Sequence, residues 1–215
     1  MNQTNIKKRL PKNSILRLSL YLRELTRLEK EGKKRISSAE LAEYTDLTDT
    51  QVRKDLSYIG QLGISGTGYE VIFLKEAIQK VLGQNKNWDV ILVGAGNLGT
   101  ALLSYPGFRS QGFIIKGAFD IDTRKFGKKI NNIEIMDVER IADFIKQEDI
   151  KIALLAVPAF SAQKITDTLV SCGIKCILNF APIILKVPED VLVSNVDLSR
   201  ELEIFSYFIT SSTDA

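Results

Sequence analysis

A glycine-rich turn that directly follows an apolar run carries the clearest chemistry in this sequence. The run at residues 90–93 leads into the pattern Gly-x-Gly-x-x-Gly, formed by Gly94, Ala95, Gly96, Asn97, Leu98 and Gly99. In a strand–turn–helix unit the first glycine permits the turn, the second admits a pyrophosphate and the third allows close helix packing. Free N–H groups at the helix N-terminus then bind the phosphates. The pattern predicts a dinucleotide site; an ordinary glycine-rich turn is the alternative.

Two acids follow the next predicted strand, Ile114–Phe119, at the place where such a site needs them. Asp120 and Asp122 lie roughly 20 residues beyond the glycines, where an acid accepts the adenosine ribose hydroxyls. Their charge opposes a 2′-phosphate, so the acids favour NAD(H) as the cofactor. Arg124 and Lys125 nearby leave NADP or CoA open as alternatives.

The first third of the chain contains two closely spaced helix-start signals. Ser37 with Glu40 and Thr48 with Gln51 are capping boxes, and two short helices joined by a tight turn form a helix-turn-helix. The apolar side chains of the second helix predict an outward face that suits the DNA major groove. A solvated helix face is the alternative. The predicted DNA-binding residues are Gln51, Arg53, Lys54, Ser57 and Tyr58.

The charge distribution agrees with a polyanionic partner for this first part. Residues 1–83 contain 15 Lys and Arg against 10 Asp and Glu, whereas residues 84–215 contain 14 against 16. A basic N-terminal third beside a mildly acidic remainder is typical of a DNA-binding domain joined to another domain.

The hydrophobic pattern divides the chain into three parts. Residues 1–83 predict a winged helix, with a glycine-rich segment at 60–69, a strand at 70–73 and a closing helix at 74–82. Residues 84–196 alternate apolar strands with helices, which predicts a Rossmann-like parallel sheet. Residues 197–215 form a last helix whose apolar stripe either covers its own sheet or docks onto a second subunit. The predicted class is therefore α/β.

Composition excludes several other functions. The chain has 215 residues, two cysteines and no histidine. It therefore has no histidine to serve as a general base or a metal ligand, and we predict neither a catalytic nor a metal site. No Tyr-x-x-x-Lys pair occurs, which disfavours an NAD-dependent dehydrogenase. Cys172 and Cys176 are expected to be small buried residues. A polar N-terminus, the absence of a membrane-length apolar run and the few cysteines predict a cytoplasmic protein.

Taken together, these motifs resemble the Rex family of redox-sensing transcriptional repressors over almost the whole chain. The similarity lies in the recognition helix at 51–58, the nucleotide turn at 93–99 with the segment 105–108, and the ribose-binding segment at 119–122. It continues in the loops at 156–159 and 179–182 and in the segment that begins at Val196.

The resemblance implies a homodimer that reads the NADH/NAD⁺ ratio. Protein that is free or bound to NAD⁺ would hold a palindromic operator, and NADH would release it. The C-terminal helices would be exchanged between the subunits. Arg17, Tyr105 and Asp197 match the positions of the family's switching contacts.

The nicotinamide ring distinguishes NADH from NAD⁺, and an apolar surface favours its neutral reduced form. The resemblance points to Val157, Pro158, Phe180 and Pro182, with Tyr105 above the turn. One departure concerns the wing, which is usually basic in this family. Residues 63–69 contain neither lysine nor arginine here, so the sequence predicts fewer phosphate contacts from the wing.

Overall fold

The computed structural model describes residues 10–60, 62–63 and 67–213, which form two compact units that meet at Lys86 and Asn87. The sequence pattern places the domain boundary three residues earlier. The tip of the predicted wing, residues 64–66, lies outside the described residues.

The first unit is a small helical domain closed by a two-stranded sheet. Its elements are α1 (Lys12–Lys30), β1 (Arg35–Ile36), α2 (Ser38–Thr45), α3 (Asp49–Ser57), β2 (Tyr69–Glu70) and α4 (Val71–Val81). Apolar side chains at helical spacing form one core: Leu18, Leu22 and Leu25 of α1 pack with residues of the other helices. These positions recur every three or four residues because they share one helix face.

The predicted strand at 70–73 is wrong. The strand β2 has only two residues and pairs antiparallel with β1, and α4 already begins at Val71. Val71, Leu74 and Ile78 are spaced for one helix face and are all buried in the core of this unit. Burial of that face outweighs the strand preference of the local Val-Ile-Phe run, because tertiary packing overrides local propensity.

The second unit is a parallel sheet with helices between its strands. The strands are β3 (Trp88–Val93), β4 (Phe113–Asp120), β5 (Lys129–Ile130), β6 (Ile133–Asp137), β7 (Ile152–Leu155), β8 (Cys176–Asn179) and β9 (Leu192–Asn195). The helices are α5 (Asn97–Leu103), α6 (Pro106–Ser110), α7 (Ile141–Gln147), α8 (Ala159–Ser171) and α9 (Leu198–Thr213).

The strand order is β5-β6-β4-β3-β7-β8-β9, and every pairing is parallel except that of β5 with β6. Parallel strands bring their carboxyl ends to one edge, so the loops after β3, β4 and β7 lie side by side there. The chain after β4 contains the short strand β5, which Asn131 and Asn132 connect to β6 with positive φ angles of 48° and 65°. Asparagine tolerates this conformation, which a two-residue hairpin turn requires.

The last helix, α9, leaves large apolar side chains exposed rather than covering the sheet of its own unit. Their exposed fractions range from 44% at Ile204 to 71% at Ile209. Of the two alternatives for the last helix, coverage of its own sheet does not hold for these side chains. The exposed set is Leu198, Leu202, Ile204, Phe205, Tyr207, Phe208 and Ile209.

Candidate functional site

The two predicted capping residues, Ser37 and Thr48, cap the starts of the two helices of the helix-turn-helix. The Ser37 hydroxyl accepts a hydrogen bond from the Glu40 amide, and the Glu40 carboxylate accepts one from the Ser37 amide at 2.8 Å. Thr48 caps α3 through the Gln51 amide at 3.2 Å. Asp46 ends α2 in the left-handed conformation, with φ 53°, and so turns the chain toward α3.

The five predicted DNA-binding residues lie on the outer side of α3 and just after it. Val52 and Leu56 are buried in the core, so the opposite side of α3 faces outward. Of the outer set, Gln51 is half-buried and the other four are exposed. The Ser57 hydroxyl already donates to the Lys54 carbonyl oxygen at 2.7 Å, so it is available mainly as an acceptor.

One charged residue of α3, Asp55, faces inward, in a role that its sequence context does not indicate. Arg17 of α1 donates to both carboxylate oxygens, from Nε at 2.6 Å and from Nη2 at 2.8 Å, and the Tyr21 hydroxyl donates at 2.9 Å. Burial raises the pKa of the Asp55 carboxyl, but hydrogen bonds from Arg17, Ser14 and Tyr21 outweigh it and leave that pKa below its ordinary value. Asp55 therefore anchors the recognition helix on α1.

A cleft of about 670 Å³ lies between α3 and the base of the wing. Its walls include Arg53 and Ser57 on one side and Thr67 and Tyr69 on the other. Arg35 of β1 also lines it and donates from Nε to the Thr67 carbonyl oxygen at 3.3 Å. A guanidinium from β1 therefore lies beside a wing that has no lysine or arginine of its own.

In the second unit, the three glycines of the turn are required for different reasons. Gly94 has φ 96°, and a Cβ there would collide with the Ala156 carbonyl oxygen. A Cβ on Gly99 would collide with the Gly94 carbonyl oxygen. A Cβ on Gly96 would meet no atom within 4 Å. The fold itself requires Gly94 and Gly99, whereas at Gly96 only the approach of a ligand would require a missing side chain.

The carboxylate of Asp120 lies at the end of β4, buried and hydrogen-bonded. Its Oδ2 accepts from the Ala95 amide at 2.8 Å and from Lys125 Nζ at 2.9 Å, and its Oδ1 accepts from the Asp122 amide at 2.9 Å. Burial raises the pKa of Asp120, but these three hydrogen bonds lower it by a larger amount. The pKa therefore stays below its ordinary value, and the group is ionised at neutral pH. A carboxylate offers about four acceptor sites, so one remains for a ribose hydroxyl.

The second predicted acid, Asp122, faces an arginine. Arg124 Nε and Nη2 each donate to it at 2.9 Å, which lowers the pKa of Asp122 to about 2. The pair therefore stays charged at neutral pH, and the Arg124 guanidinium is engaged by Asp122.

A cavity of about 260 Å³ joins the glycine turn to Asp120. Val157 and Pro158 line this same cavity, so the structure places them beside the ribose acid. Ile121, Lys125 and Phe160 also line the cavity, although none of them is among the predicted cofactor-binding residues. Phe160 is 87% exposed and Ile121 is 72% exposed, a large apolar area to leave in water. An aromatic residue one position after the start of α8 is a signal that the sequence did offer.

The remaining predicted residues lie elsewhere in this unit. Tyr105 precedes α6, packs edge-on against Phe108 at 5.1 Å between ring centres, and lines a separate cleft of about 620 Å³. Phe180 is half-buried after β8 and donates its amide to the Leu155 carbonyl oxygen. The Asp197 carboxylate accepts hydrogen bonds from the Ser199 and Arg200 amides and so caps α9.

The glycine turn, Asp120, Val157 and Phe180 lie at the carboxyl edge of the sheet. The cleft beside Tyr105 is lined instead by Phe113 and Ile115 from the first half of β4, so the structure places Tyr105 away from the glycine turn. Asn179 stabilises the loop after β8: its side-chain amide donates to the carbonyl oxygens of Ala181 and Ile183, each at 3.0 Å. Among the described residues, no three potential metal ligands cluster. Within the same described part of the chain, no helix has the length and apolar character that a membrane crossing requires.

These two units define a DNA-binding transcription factor that carries a dinucleotide-binding fold. Comparisons with known proteins agree with that class. A family model described as "CoA binding domain" matches residues 85–183, and one described as "Putative DNA-binding protein N-terminus" matches residues 9–57.

Similar full-length proteins identify the family. The redox-sensing transcriptional repressor Rex of Carboxydothermus hydrogenoformans is 44% identical over 201 residues, which cover 94% of this chain and 97% of that protein. The Rex of Pelotomaculum thermopropionicum is 45% identical over 199 residues and 93% of each chain. The chain belongs to the Rex family of redox-sensing transcriptional repressors; it is a transcriptional repressor and not an enzyme.

Solved structures give the same result. The crystal structure of RSP in complex with β-NAD⁺ and operator DNA matches with a TM-score of 0.92 and 45% identity, over 96% of this chain and 95% of that one. RSP in complex with β-NADH matches with a TM-score of 0.84 and 44% identity, over 96% and 97%.

Proposed function

We propose that this repressor binds a palindromic operator as a homodimer in the cytoplasm and is released from it when NADH binds. One observation carries the proposal: a single chain combines an outward-facing recognition helix with a glycine turn that lies beside Asp120. The carboxylate of Asp120, which is expected to accept a ribose hydroxyl, is already ionised. RSP, a similar repressor, has been crystallised with NAD⁺ and operator DNA and with NADH.

The DNA contact rests on α3. Arg53 and Lys54 are exposed there, and Arg53 lines the cleft between α3 and the wing. Arginine recognises guanine through two hydrogen bonds, and lysine contacts phosphates. Asp55 fixes the helix on α1, so the reading residues project from a rigid support.

The nucleotide site rests on the turn at 94–99 and on Asp120. The open space at Gly96 fits a pyrophosphate, which the first amides of α5 would bind. The remaining acceptor site of Asp120 fits a ribose hydroxyl, and its charge opposes the 2′-phosphate of NADPH. The same charge opposes the phosphate on the adenosine ribose of CoA, so we favour NAD(H) despite the description of the matching family model.

The dimer rests on α9. Seven large apolar side chains are exposed on this helix, more than a terminal helix of a monomer leaves in water. A two-fold axis would bury the same surface of both subunits, by exchange of the helices or by side-by-side packing. Two recognition helices would then read two related half-sites.

The switch must sense the nicotinamide ring, because a ligand shifts an equilibrium only through different affinities for the two states. The ring of NAD⁺ is positively charged and that of NADH is neutral, so an apolar surface favours NADH. Val157 and Pro158 line the cavity beside Asp120, at the adenosine end, so Phe180 is the apolar residue that we propose for contact with the ring. Tyr105, Arg17 and Asp197 are the proposed switching contacts.

A titration of preformed protein–DNA complex tests the function. The duplex is selected from a randomised pool by the full-length protein, and fluorescence anisotropy follows its release by NADH, NAD⁺, NADPH and CoA in turn. We expect NADH to release the duplex at the lowest concentration. Release by CoA or NADPH at lower concentrations than NADH would contradict the proposal.

A further inference from the structure

The recognition helix α3 begins with an acid on the side that we propose faces DNA. Asp49 Oδ2 forms an ion pair with Arg53 Nη2 at 2.8 Å, one helical turn along. The Arg53 side chain is 61% exposed and the Asp49 side chain 35%. The carboxylate therefore restrains the guanidinium that is expected to read a base.

Fold stability does not explain this acid fully. A negative charge in the first turn of a helix is favourable. However, among the described residues, Asp49 Oδ1 is buried and accepts no hydrogen bond. A buried acceptor without a donor lowers stability, and such positions in natural proteins call for another explanation. Oδ2 is the carboxylate oxygen that pairs with the arginine.

The geometry leaves Arg53 able to read a base while Asp49 holds it. A guanidinium has five N–H donors and a bidentate contact with guanine uses two, so the ion pair between Nη2 and Asp49 leaves enough donors for that contact. A side chain that is already oriented loses less rotamer freedom on binding. Asp49 therefore favours the complex in which Arg53 meets a guanine edge.

The Asp49 carboxylate weakens binding to DNA sequences in which Arg53 meets no guanine. Asp55, the other acid of α3, is buried and paired with Arg17, so Asp49 is the acid whose charge partly offsets Arg53 and Lys54 on the outer side. Binding to arbitrary DNA depends on neutralising phosphates with cations. A carboxylate at this surface weakens that binding at every sequence.

We propose that Asp49 is a specificity-determining positioning residue, which directs Arg53 onto a guanine and weakens DNA binding that lacks this contact. The inference rests on the proposed function, in which α3 reads the operator.

The test compares variants of the full-length protein on three kinds of duplex. These are the duplex selected by the wild type, copies of it with single guanines replaced, and an unrelated duplex. The variants are Asp49→Asn, Asp49→Glu, Arg53→Ala and the double variant Asp49→Asn with Arg53→Ala. Asp46→Asn is the matched control, because it removes one negative charge nearby, asparagine tolerates its positive φ, and Asp46 forms no ion pair among the described residues. Thermal melting verifies that each variant folds.

We expect Asp49→Asn to bind the unrelated duplex about threefold more tightly, because one repulsive charge is removed. Its preference for the selected duplex over the copy that lacks the guanine read by Arg53 should fall about tenfold. Asp49→Glu should keep most of the preference. In the Arg53→Ala background Asp49→Asn should no longer change the preference, and Asp46→Asn should change binding to all duplexes alike.

Either of two results would overturn this inference and leave the proposed function intact. One is a wild-type preference for the selected duplex in Asp49→Asn. The other is an equal loss of that preference on Asp49→Asn with and without Arg53. If the wild type selects no sequence at all, the proposed function itself fails. The two failures are therefore distinguishable.

Discussion

Asp120→Asn should weaken NADH binding and narrow the preference for NADH over NADPH. Asparagine offers one acceptor oxygen, which can keep the two donors on Oδ2, namely the Ala95 amide and Lys125. Its NH₂ group would then face the Asp122 amide, which donates to Oδ1 in the wild type. One buried donor is left unsatisfied, at a cost of about 1–3 kcal/mol in the free energy of unfolding.

The loss in nucleotide binding has a separate origin. A ribose hydroxyl that donates to a charged acceptor is worth about 1.5–3 kcal/mol, so the Kd for NADH should rise about 10- to 150-fold. The Kd for NADPH should not rise and should fall if its 2′-phosphate approaches Asp120, because the opposing charge is gone.

Isothermal titration calorimetry with both nucleotides measures the two constants. Asp137→Asn is the control. Asp137 lies opposite Asp120 in the strand register of β4 and β6, and it does not line the 260 Å³ cavity. Asparagine keeps an acceptor for the Glu139 amide, which Asp137 caps. Wild-type affinity for NADH in folded Asp120→Asn, or a wild type that prefers NADPH, would refute the assignment.

Three further predictions concern the anchor, the dimer and the switch. Asp55→Asn should lower the free energy of unfolding by about 3 kcal/mol at pH 7 because Arg17 loses its partner, as chemical denaturation would show. Since the native pKa of Asp55 is lowered, this stabilisation is present above the unfolded pKa near 4 and disappears as the pH falls through the native pKa; equal stability of variant and wild type at pH 7 would contradict it. Deletion of residues 198–215 should give a monomer or aggregates in sedimentation, and a stable wild-type monomer at micromolar concentration would exclude the dimer. Tyr105→Phe and Asp197→Asn should bind NADH within about tenfold of wild type yet resist NADH-driven release from DNA, and release at wild-type NADH concentrations would exclude both residues from the switch.

Asparagine is the informative replacement at position 197 because of the cap that the structure shows there. Alanine would remove the acceptor of the Ser199 and Arg200 amides and cost about 1 kcal/mol in helix stability. Asparagine keeps an acceptor and removes the charge, so a changed release can be assigned to the switch rather than to fraying of α9.

Local signals in the sequence predicted the parts of the fold that local physics determines. The capping box at Ser37 and the glycine turn are short-range patterns that appear where expected, whereas Thr48 caps α3 through the Gln51 amide alone and not as the predicted reciprocal box. The strand β5 was missed because its turn uses Asn131 and Asn132, which carry no glycine signal.

The anchors of the sites were missed for a different reason. Arg17 and Asp55 are 38 residues apart, and nothing in either segment indicates their contact. Lys125 joins Asp120 only because the loop after β4 folds back onto the strand end. Such pairs depend on tertiary arrangement, which hydrophobic periodicity does not encode.

The three glycines of the nucleotide turn should also drift differently over evolutionary time. In lineages that stop binding the nucleotide, Gly94 and Gly99 would persist, because side chains there collide with the backbone in any copy of this fold. Gly96 would be free to change to alanine or serine, since a Cβ at that position meets nothing within 4 Å. The residue at this one position would therefore distinguish descendants that still sense a nucleotide from those that keep only the architecture.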